Sequence, residues 1–190
     1  YKSYKLGPQK SIMSAEEVER AITDLTDAIL RDTAELNDLV IVGIRMAGAF
    51  IAHRIAERIR VMRGAAVDLG VLDVQGGGDT IPRWPGTPGA GESIVMVADR
   101  HVVIVDDVIN TGWTVKDALA AVWRAGRPLS ARLAVLVDRG HRQLPLKPTY
   151  VGKHLPTAPH ERVRVRLREL DREHRDRVVI YSYIDPKAAA

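Results

Sequence analysis

VVIVDDVINTGWT, residues 102–114, is the stretch on which the fold turns. Four β-branched residues in a row favour a strand buried on both faces, as in a parallel sheet. The run ends in two adjacent acids, Asp106 and Asp107. A short turn with Thr111 and Gly112 then opens a helix. In an open parallel sheet, ligands bind outside the carboxyl ends of the strands, where this reading puts both acids. A helix beginning near Thr111 offers free backbone N–H groups and partial positive charge to a phosphate. Gly112 permits close backbone approach, and Thr111 and Thr114 add hydroxyls. Carboxylates beside a phosphate cradle would repel the phosphate, unless they take neutral hydroxyls such as the diol of a ribose. The spacing therefore points to a ribose 5-phosphate site. The competing reading is an acidic helix cap followed by a Thr-Gly turn.

The rest of the chain fits the same architecture. Ser14 precedes Glu16 and Glu17 as a helix cap, and Val18, Ile22, Leu25, Ile29 and Leu30 follow at spacings of three and four. LVIVGI at 39–44 reads as a buried strand. A helix is predicted over 49–61 with Phe50, Ile51, Ile55 and Ile59 inward, and a second strand over 67–74. Residues 75–91, rich in glycine and proline, read as a loop, a candidate lid. HVVIV at 101–105 is the third strand, 114–125 the helix after it, and ARLAVLV at 131–137 the fourth strand. Short strands are expected near 150–151, 163–167 and 178–183. Strands alternating with helices imply an α/β fold, a doubly wound and mainly parallel sheet flanked by helices. The expected organisation is a flexible arm over 1–10, one domain over 11–184 and a flexible tail over 185–190.

Composition narrows the chemistry. With no cysteine among 190 residues, disulfides, cysteine nucleophiles and thiolate metal sites are excluded. His101, His154, His160 and His174 lack metal-site spacing, and His53 takes no role. No run approaches the roughly 20 apolar residues of a membrane span, so a cytoplasmic protein without a membrane partner is expected. The net charge of +4 is mild, but its distribution is uneven. Residues 11–40 carry eight acids and two bases, and residues 139–168 carry eight bases and one acid. Either the basic stretch meets a polyanion or the two regions pack together and neutralise each other. Arg162, Arg164, Arg166 and Arg168 alternate and so share one strand face, whether solvated, ion-paired or facing nucleic acid.

VVIVDDVINTG resembles the phosphoribosyl pyrophosphate (PRPP) motif of type I phosphoribosyltransferases. AGRPLSARLAVLVDRGHRQLPLKPTYVGKHLPTAPHERVRV, residues 125–165, closely resembles the PyrR family, pyrimidine operon attenuation regulators that are also uracil phosphoribosyltransferases. The likeness runs from about residue 11 to 181, with DRGHR and YVGK its most specific parts. It implies a type I phosphoribosyltransferase fold with a small hood. It also implies that Asp106 and Asp107 hold the ribose hydroxyls, and that Val108, Ile109, Asn110, Thr111, Gly112, Trp113 and Thr114 hold the 5′-phosphate. Gly43, Ile44, Arg45, Met46, Ala47 and Gly48 would form the pyrophosphate loop. Val137, Asp138 and Arg139, with Tyr150 and Val151, would surround the base. The implied cofactor is Mg²⁺, carried largely by the pyrophosphate with no direct protein ligand. The implied partners are PRPP, uracil or uridine and guanosine nucleotides, an mRNA leader, and further copies of the chain in a homo-oligomer. His141, Arg142, Lys147 and Lys153 match basic positions of the family's RNA face.

The chain departs from that pattern in four places. The pyrophosphate loop reads Met46-Ala47-Gly48 where the family has Thr-Arg-Gly, although Arg45 stands close by. After Leu72-Asp73-Val74, a glycine run replaces an aromatic and an arginine, leaving Asp79 and Arg83 as the charged candidates. Trp113 takes the place of an arginine, so it either stacks on a ligand or packs on neighbouring loops. Trp84 is a candidate cover for the site. Thr23, Asp24 and Asp27 stand where the regulators place basic or neutral side chains, and carboxylates there oppose an RNA backbone. The alternative function is thus a PRPP- or nucleotide-sensing homologue with impaired catalysis, acting as a regulatory or interaction module.

Overall fold

The computed structural model describes residues 5–74, 80–85, 94–171 and 174–184. The chain runs β1 (Lys5–Leu6), β2 (Lys10–Met13), α1 (Ala15–Arg31), β3 (Leu39–Ile44), α2 (Ala47–Arg63), β4 (Asp68–Leu72), β5 (His101–Ile109), α3 (Trp113–Ala125), β6 (Ser130–Asp138), β7 (Tyr150–His154), β8 (Glu161–Arg166) and β9 (Arg177–Ile184). Five strands form a parallel sheet in the order β4-β3-β5-β6-β7. All six residues of β3 are buried, as a strand covered on both faces requires. One apolar cluster joins α1, α2 and the sheet, with Ile22, Ile29, Ile51, Ile55 and Ile59 fully buried. A second, on the opposite face, joins α3 through Val115, Ala118 and Val122. Helices on both faces of a parallel sheet give the expected doubly wound α/β fold.

α1 starts where Ser14 caps it. The Ser14 hydroxyl accepts from the Glu17 N–H, and the Glu17 carboxylate accepts from the Ser14 N–H at 2.8 Å. α2 packs against β3 because Gly43 has no side chain. A Cβ there would lie 2.4 Å from the Ala49 Cα. β5 runs four residues beyond the predicted 101–105. Asp106 and Asp107 lie inside the strand, still paired with β6 as far as Ile109 beside Asp138. A polar pair at a sheet end keeps the ladder going when the backbone pairing outlasts the apolar run.

The hood is a second, antiparallel sheet. β9 pairs with β1 and β2 along one edge and with β8 along the other. Part of the stretch expected as a flexible arm is therefore paired: Lys5 faces Ile184, and Lys10 opens β2. Residues 1–4 and 185–190 lie outside the described residues. So does most of the candidate lid, Asp79 included. Its described part, 80–85, folds back on β4 through an antiparallel bridge of Gly70 with Arg83, and Pro82 bridges in turn to Ile94. Arg83 is bound to Asp68 there, so it is not a cation offered to the site.

The arginines of 162–168 lie along an ion-paired, solvated edge. Arg164 meets Asp171 at 2.7 Å, and Arg166 donates to the Gln9 Oε1 at 3.0 Å. The acids of the 11–40 stretch are met elsewhere than in the basic stretch. Glu19 takes Arg58, and Asp32 takes Arg132.

Hood and sheet are clamped by Arg54 of α2. Its guanidinium holds Asp176 at 2.5 and 3.0 Å and Glu169 at 2.7 and 3.0 Å. Burial pushes the Asp176 carboxyl up, but Arg54 and the Arg168 N–H outweigh that and hold it below the usual carboxylate range. Arg54→Met strands a buried carboxylate and is expected to cost about 3 kcal/mol in denaturant titrations at neutral pH. Because the folded-state pKa of Asp176 is lowered, this contribution is present above the unfolded-chain value. It is lost as the pH falls through the lowered one. A loss below about 1 kcal/mol at pH 7 would show the clamp to be ornamental.

Candidate active site

The acids sit where two helices open. Asp106 is 7% exposed, and its Oδ1 accepts the Asp107 N–H at 2.9 Å. The Asp107 Oδ1 accepts the Val108 N–H at 2.8 Å. α2 begins at Ala47 and α3 at Trp113. Neither Met46 nor Gly112, their cap residues, supplies a side-chain cap, so the first N–H groups of both helices remain to be satisfied. Gly48 brings the first of these helix mouths against the acids. A Cβ at 48 would stand 2.6 Å from the Val105 carbonyl oxygen and 3.0 Å from the Asp106 Cα. Gly112, at φ 97°, turns the chain from the acids into α3 in a conformation that favours glycine.

This setting controls the charge on the acids. Burial, and next the neighbouring Asp107, push the Asp106 carboxyl well above the usual range. Burial raises Asp107 as well, while its bonds to Asp106 and to the Val108 N–H work the other way. The pair titrates together. Its oxygens suit hydroxyl groups as hydrogen-bond partners. Among the described residues there is no group of three or more His, Asp or Glu side chains placed to hold a metal ion.

The loop over 108–114 is built from its neighbours. The Gln143 N–H donates to the Thr111 carbonyl at 3.0 Å. The Trp113 indole N–H donates to the Gln143 Oε1 at 2.9 Å, and Lys116 lies 5.5 Å from the ring centroid. The indole edge of Trp113 is thus held by the neighbouring loop, while the side chain stays about half exposed. The Asn110 Oδ1 is buried and meets no donor among the described residues. In the other loop, Arg45 is exposed, 3.5 Å from Asp73, and Met46 is exposed beside it.

The expected base-binding residues divide. Val137 is fully buried, and Val151 packs on the α3 side of the sheet. Asp138 closes β6 and meets Arg142 at 2.8 Å. Arg139 is buried, donating to the Thr157 Oγ1 at 3.1 Å and the Glu161 carbonyl at 2.7 Å. Tyr150 is not brought to this edge. Its ring lies in the core, and its hydroxyl donates to Asp32 at 3.0 Å and accepts from Arg132 at 3.1 Å. In its place the fold supplies His154, at the end of β7 opposite Asp138, and Thr157. Together with Asp138, Arg139 and His141 they line a cavity of about 290 Å³. A strand carried from 150–151 on to residue 154 is the signal that would have found His154.

A larger cavity, about 700 Å³, adjoins the other loop between Arg45, Met46, Phe50, Asp73 and Trp84. Trp84 stacks on His53 and meets Phe50 edge-on, both at 5.2 Å. It is thus anchored to α2, and His53 acquires a packing role that its polar helix face did not suggest.

Residues 8–169 match the family described as phosphoribosyl transferase domain. The Bifunctional protein PyrR of Latilactobacillus sakei subsp. sakei (strain 23K) is 38% identical over 181 residues, covering 87% of this chain and 94% of that protein. The Bifunctional protein PyrR of Deinococcus radiodurans is 42% identical over 166 residues, covering 86% and 91%. Among solved structures, a hypoxanthine-guanine phosphoribosyltransferase from Bacillus anthracis superposes with a TM-score of 0.63 at 18% identity, covering 95% of this chain and 99% of that one. That last likeness is one of fold.

The raised pKa of Asp106 carries a stability cost with a definite sign. Below the unfolded-chain value both states hold the proton. As the pH climbs from there towards the folded-state value, ionisation favours the unfolded chain. Asp106→Asn is therefore expected to raise the melting temperature at pH 8 by roughly 2–4 °C, with the gain vanishing near pH 4. A lower melting temperature at pH 8 would contradict a desolvated carboxyl.

Proposed function

The chain belongs to the PyrR family of phosphoribosyl transferases, which are pentosyltransferases, and on that footing we propose that it binds PRPP with Mg²⁺ and transfers the phosphoribosyl group to uracil or a related base. The observation that carries this reading is the contact of Gly48 with Asp106. It sets the mouth of α2 and the mouth of α3 around one pair of acids. Two uncapped helix starts suit two phosphate groups, the pyrophosphate at 45–48 and the 5′-phosphate at 108–114. The acids between them suit the two ribose hydroxyls. Mg²⁺, bound with the pyrophosphate at 45–48, would offset the negative charge of the leaving group.

In the transfer, the bond from ribose C1 to the pyrophosphate oxygen breaks, a base nitrogen bonds to C1, and the proton of that nitrogen leaves to solvent or to the departing pyrophosphate. Positive charge grows on the ribose in between. Carboxylate charge at Asp106–Asp107 stabilises that positive charge, and the pair's oxygens hydrogen-bond the ribose hydroxyls. Asp138 holds the base at the neighbouring strand end, with the buried Arg139 supporting the chain behind it through Thr157 and the Glu161 carbonyl. Asn110, through its buried Oδ1, accepts from the bound sugar or base.

The second reading, a nucleotide-sensing homologue with impaired catalysis, is favoured by specific side chains. Ala47 and Trp113 stand where the family places arginines, and the Trp113 indole is committed to Gln143. Regulation through mRNA has thin support from the cations. Arg142 points inward, the His141 Nε2 lies 2.7 Å from the Thr157 carbonyl oxygen, and Asp24 is exposed on α1. Lys147 and Lys153 remain.

Two measurements test this reading. Pyrophosphate release from PRPP, measured with each nucleobase in turn, is expected to be greatest with uracil, and calorimetry to show Mg²⁺-dependent PRPP binding. Asp107→Asn is expected to weaken that binding about tenfold or more with little change in melting temperature. Unaltered affinity would remove Asp107 from the site. RNA affinity is expected to stay in the non-specific range, a Kd of about 1 μM or weaker at physiological salt. A gel shift showing tight, sequence-selective binding to a pyrimidine leader hairpin would overturn that expectation.

A further inference from the structure

Arg142 looks by sequence like a surface cation, yet its side chain is only 20% exposed and all three of its guanidinium nitrogens are engaged. Nη1 donates to the Asn110 carbonyl at 2.7 Å and the Gly140 carbonyl at 3.2 Å. Nε donates to the Leu146 carbonyl at 3.2 Å, and Nη2 lies 2.8 Å from the Asp138 Oδ1. Asn110 belongs to the turn between β5 and α3. Asp138 ends β6, beside Ile109 in register. One planar group thus ties together the strand end proposed for the base and the turn proposed for the 5′-phosphate.

The surrounding chain is shaped to bring it there. Gly140 and His141 both have positive φ, 78° and 61°, which folds the segment after β6 back on itself. Gln143 then binds the Thr111 carbonyl and the Trp113 indole. Leu144 and Leu146 lie against Gly112, where a Cβ would come within 3.4 Å of the Leu146 Cδ1 and 3.6 Å of the Leu144 Cβ. Residues 140–146 form a wall behind the phosphate turn, and Arg142 pins that wall to the adjacent strand. A guanidinium suits this task and an ammonium does not. Its donors form a rigid fork that reaches several acceptors in fixed directions.

We propose that Arg142 is a positioning residue, setting the distance between the 5′-phosphate turn and the base edge without touching substrate. The proposal rests on the function given above, because those two places are the ends of one nucleotide. Displacements near 1 Å in such a frame cost about a hundredfold in rate, so the spacing is worth fixing with one rigid group.

The test uses the full chain as Arg142→Met and Arg142→Lys. Hydrogen exchange is expected to quicken about tenfold or more across 108–114 in Arg142→Met, with α1 amides at parental rates. Calorimetry is expected to show UMP, which spans both ends, losing about tenfold in affinity. Ribose 5-phosphate, which occupies only one end, should lose less. Arg142→Lys keeps the ion pair to Asp138 without the fork, should fall between parent and Arg142→Met, and decides the matter if Arg142→Met does not fold. Exchange over 108–114 within about twofold of the parent, or equal losses for UMP and ribose 5-phosphate, would overturn the proposal. So would lost RNA affinity with unchanged exchange, which would make Arg142 an RNA contact. Should the parent bind neither UMP nor PRPP, the functional reading fails, and the exchange experiment alone decides whether Arg142 sets the turn.

Discussion

There is no room for a methyl group at position 48. The backbone of the first turn of α2 rests on β5 at the point where its apolar run gives way to acids, and a side chain there would meet the Val105 carbonyl oxygen and the Asp106 Cα. This contact couples packing to chemistry. It brings a helix start, with its unpaired N–H groups, to the edge of a desolvated carboxyl pair. Asp106 is buried at this contact, and burial makes its carboxyl hold a proton more tightly than an exposed one. Gly43 does the same work one step earlier, admitting Ala49 against β3. A site poised between two helix mouths follows from two missing side chains and a run of β-branched residues.

Most of this fold was readable because its periodicities are strong. The run at 39–44 and the stripe from Val18 to Leu30 each allow one burial pattern, and both appear as expected. The acid pair and its Thr-Gly turn were legible for the same reason, since few other arrangements need an apolar strand ending in two carboxylates. What the chain did not disclose depends on register and long-range pairing. The reach of β5 through Asp106 and Asp107 is set by β6 alongside, not by local preference. His154 arrives at the site because β7 extends to it. Tyr150 leaves because Asp32, 118 positions away, and Arg132 take its hydroxyl.

Arginine was the residue read least well, and the reason is physical. A guanidinium gives one charge to composition, but its five donors serve neutral carbonyls as readily as anions. Arg139 and Arg142 read either as RNA contacts or as stays of the turn after the fourth strand, and both prove to be internal struts that satisfy backbone oxygens. Arg54 drew no notice on α2, yet it is the bolt between hood and sheet. Net charge over 139–168 therefore overstates the field this region presents, since much of its positive charge is neutralised or turned inward.

The hood has a further implication for how the chain comes together. Its central strand, β9, is completed by β1 and β2 from the opposite end of the sequence, with Lys5 opposite Ile184. Pairing partners so remote close a very large loop, which is entropically slow to form. The α/β layers, whose neighbours are mostly local crossovers, have no such delay. During synthesis the earliest strands must therefore wait, edges bare, until β9 has left the ribosome. The parallel sheet with its acid pair is assembled first and the antiparallel sheet last.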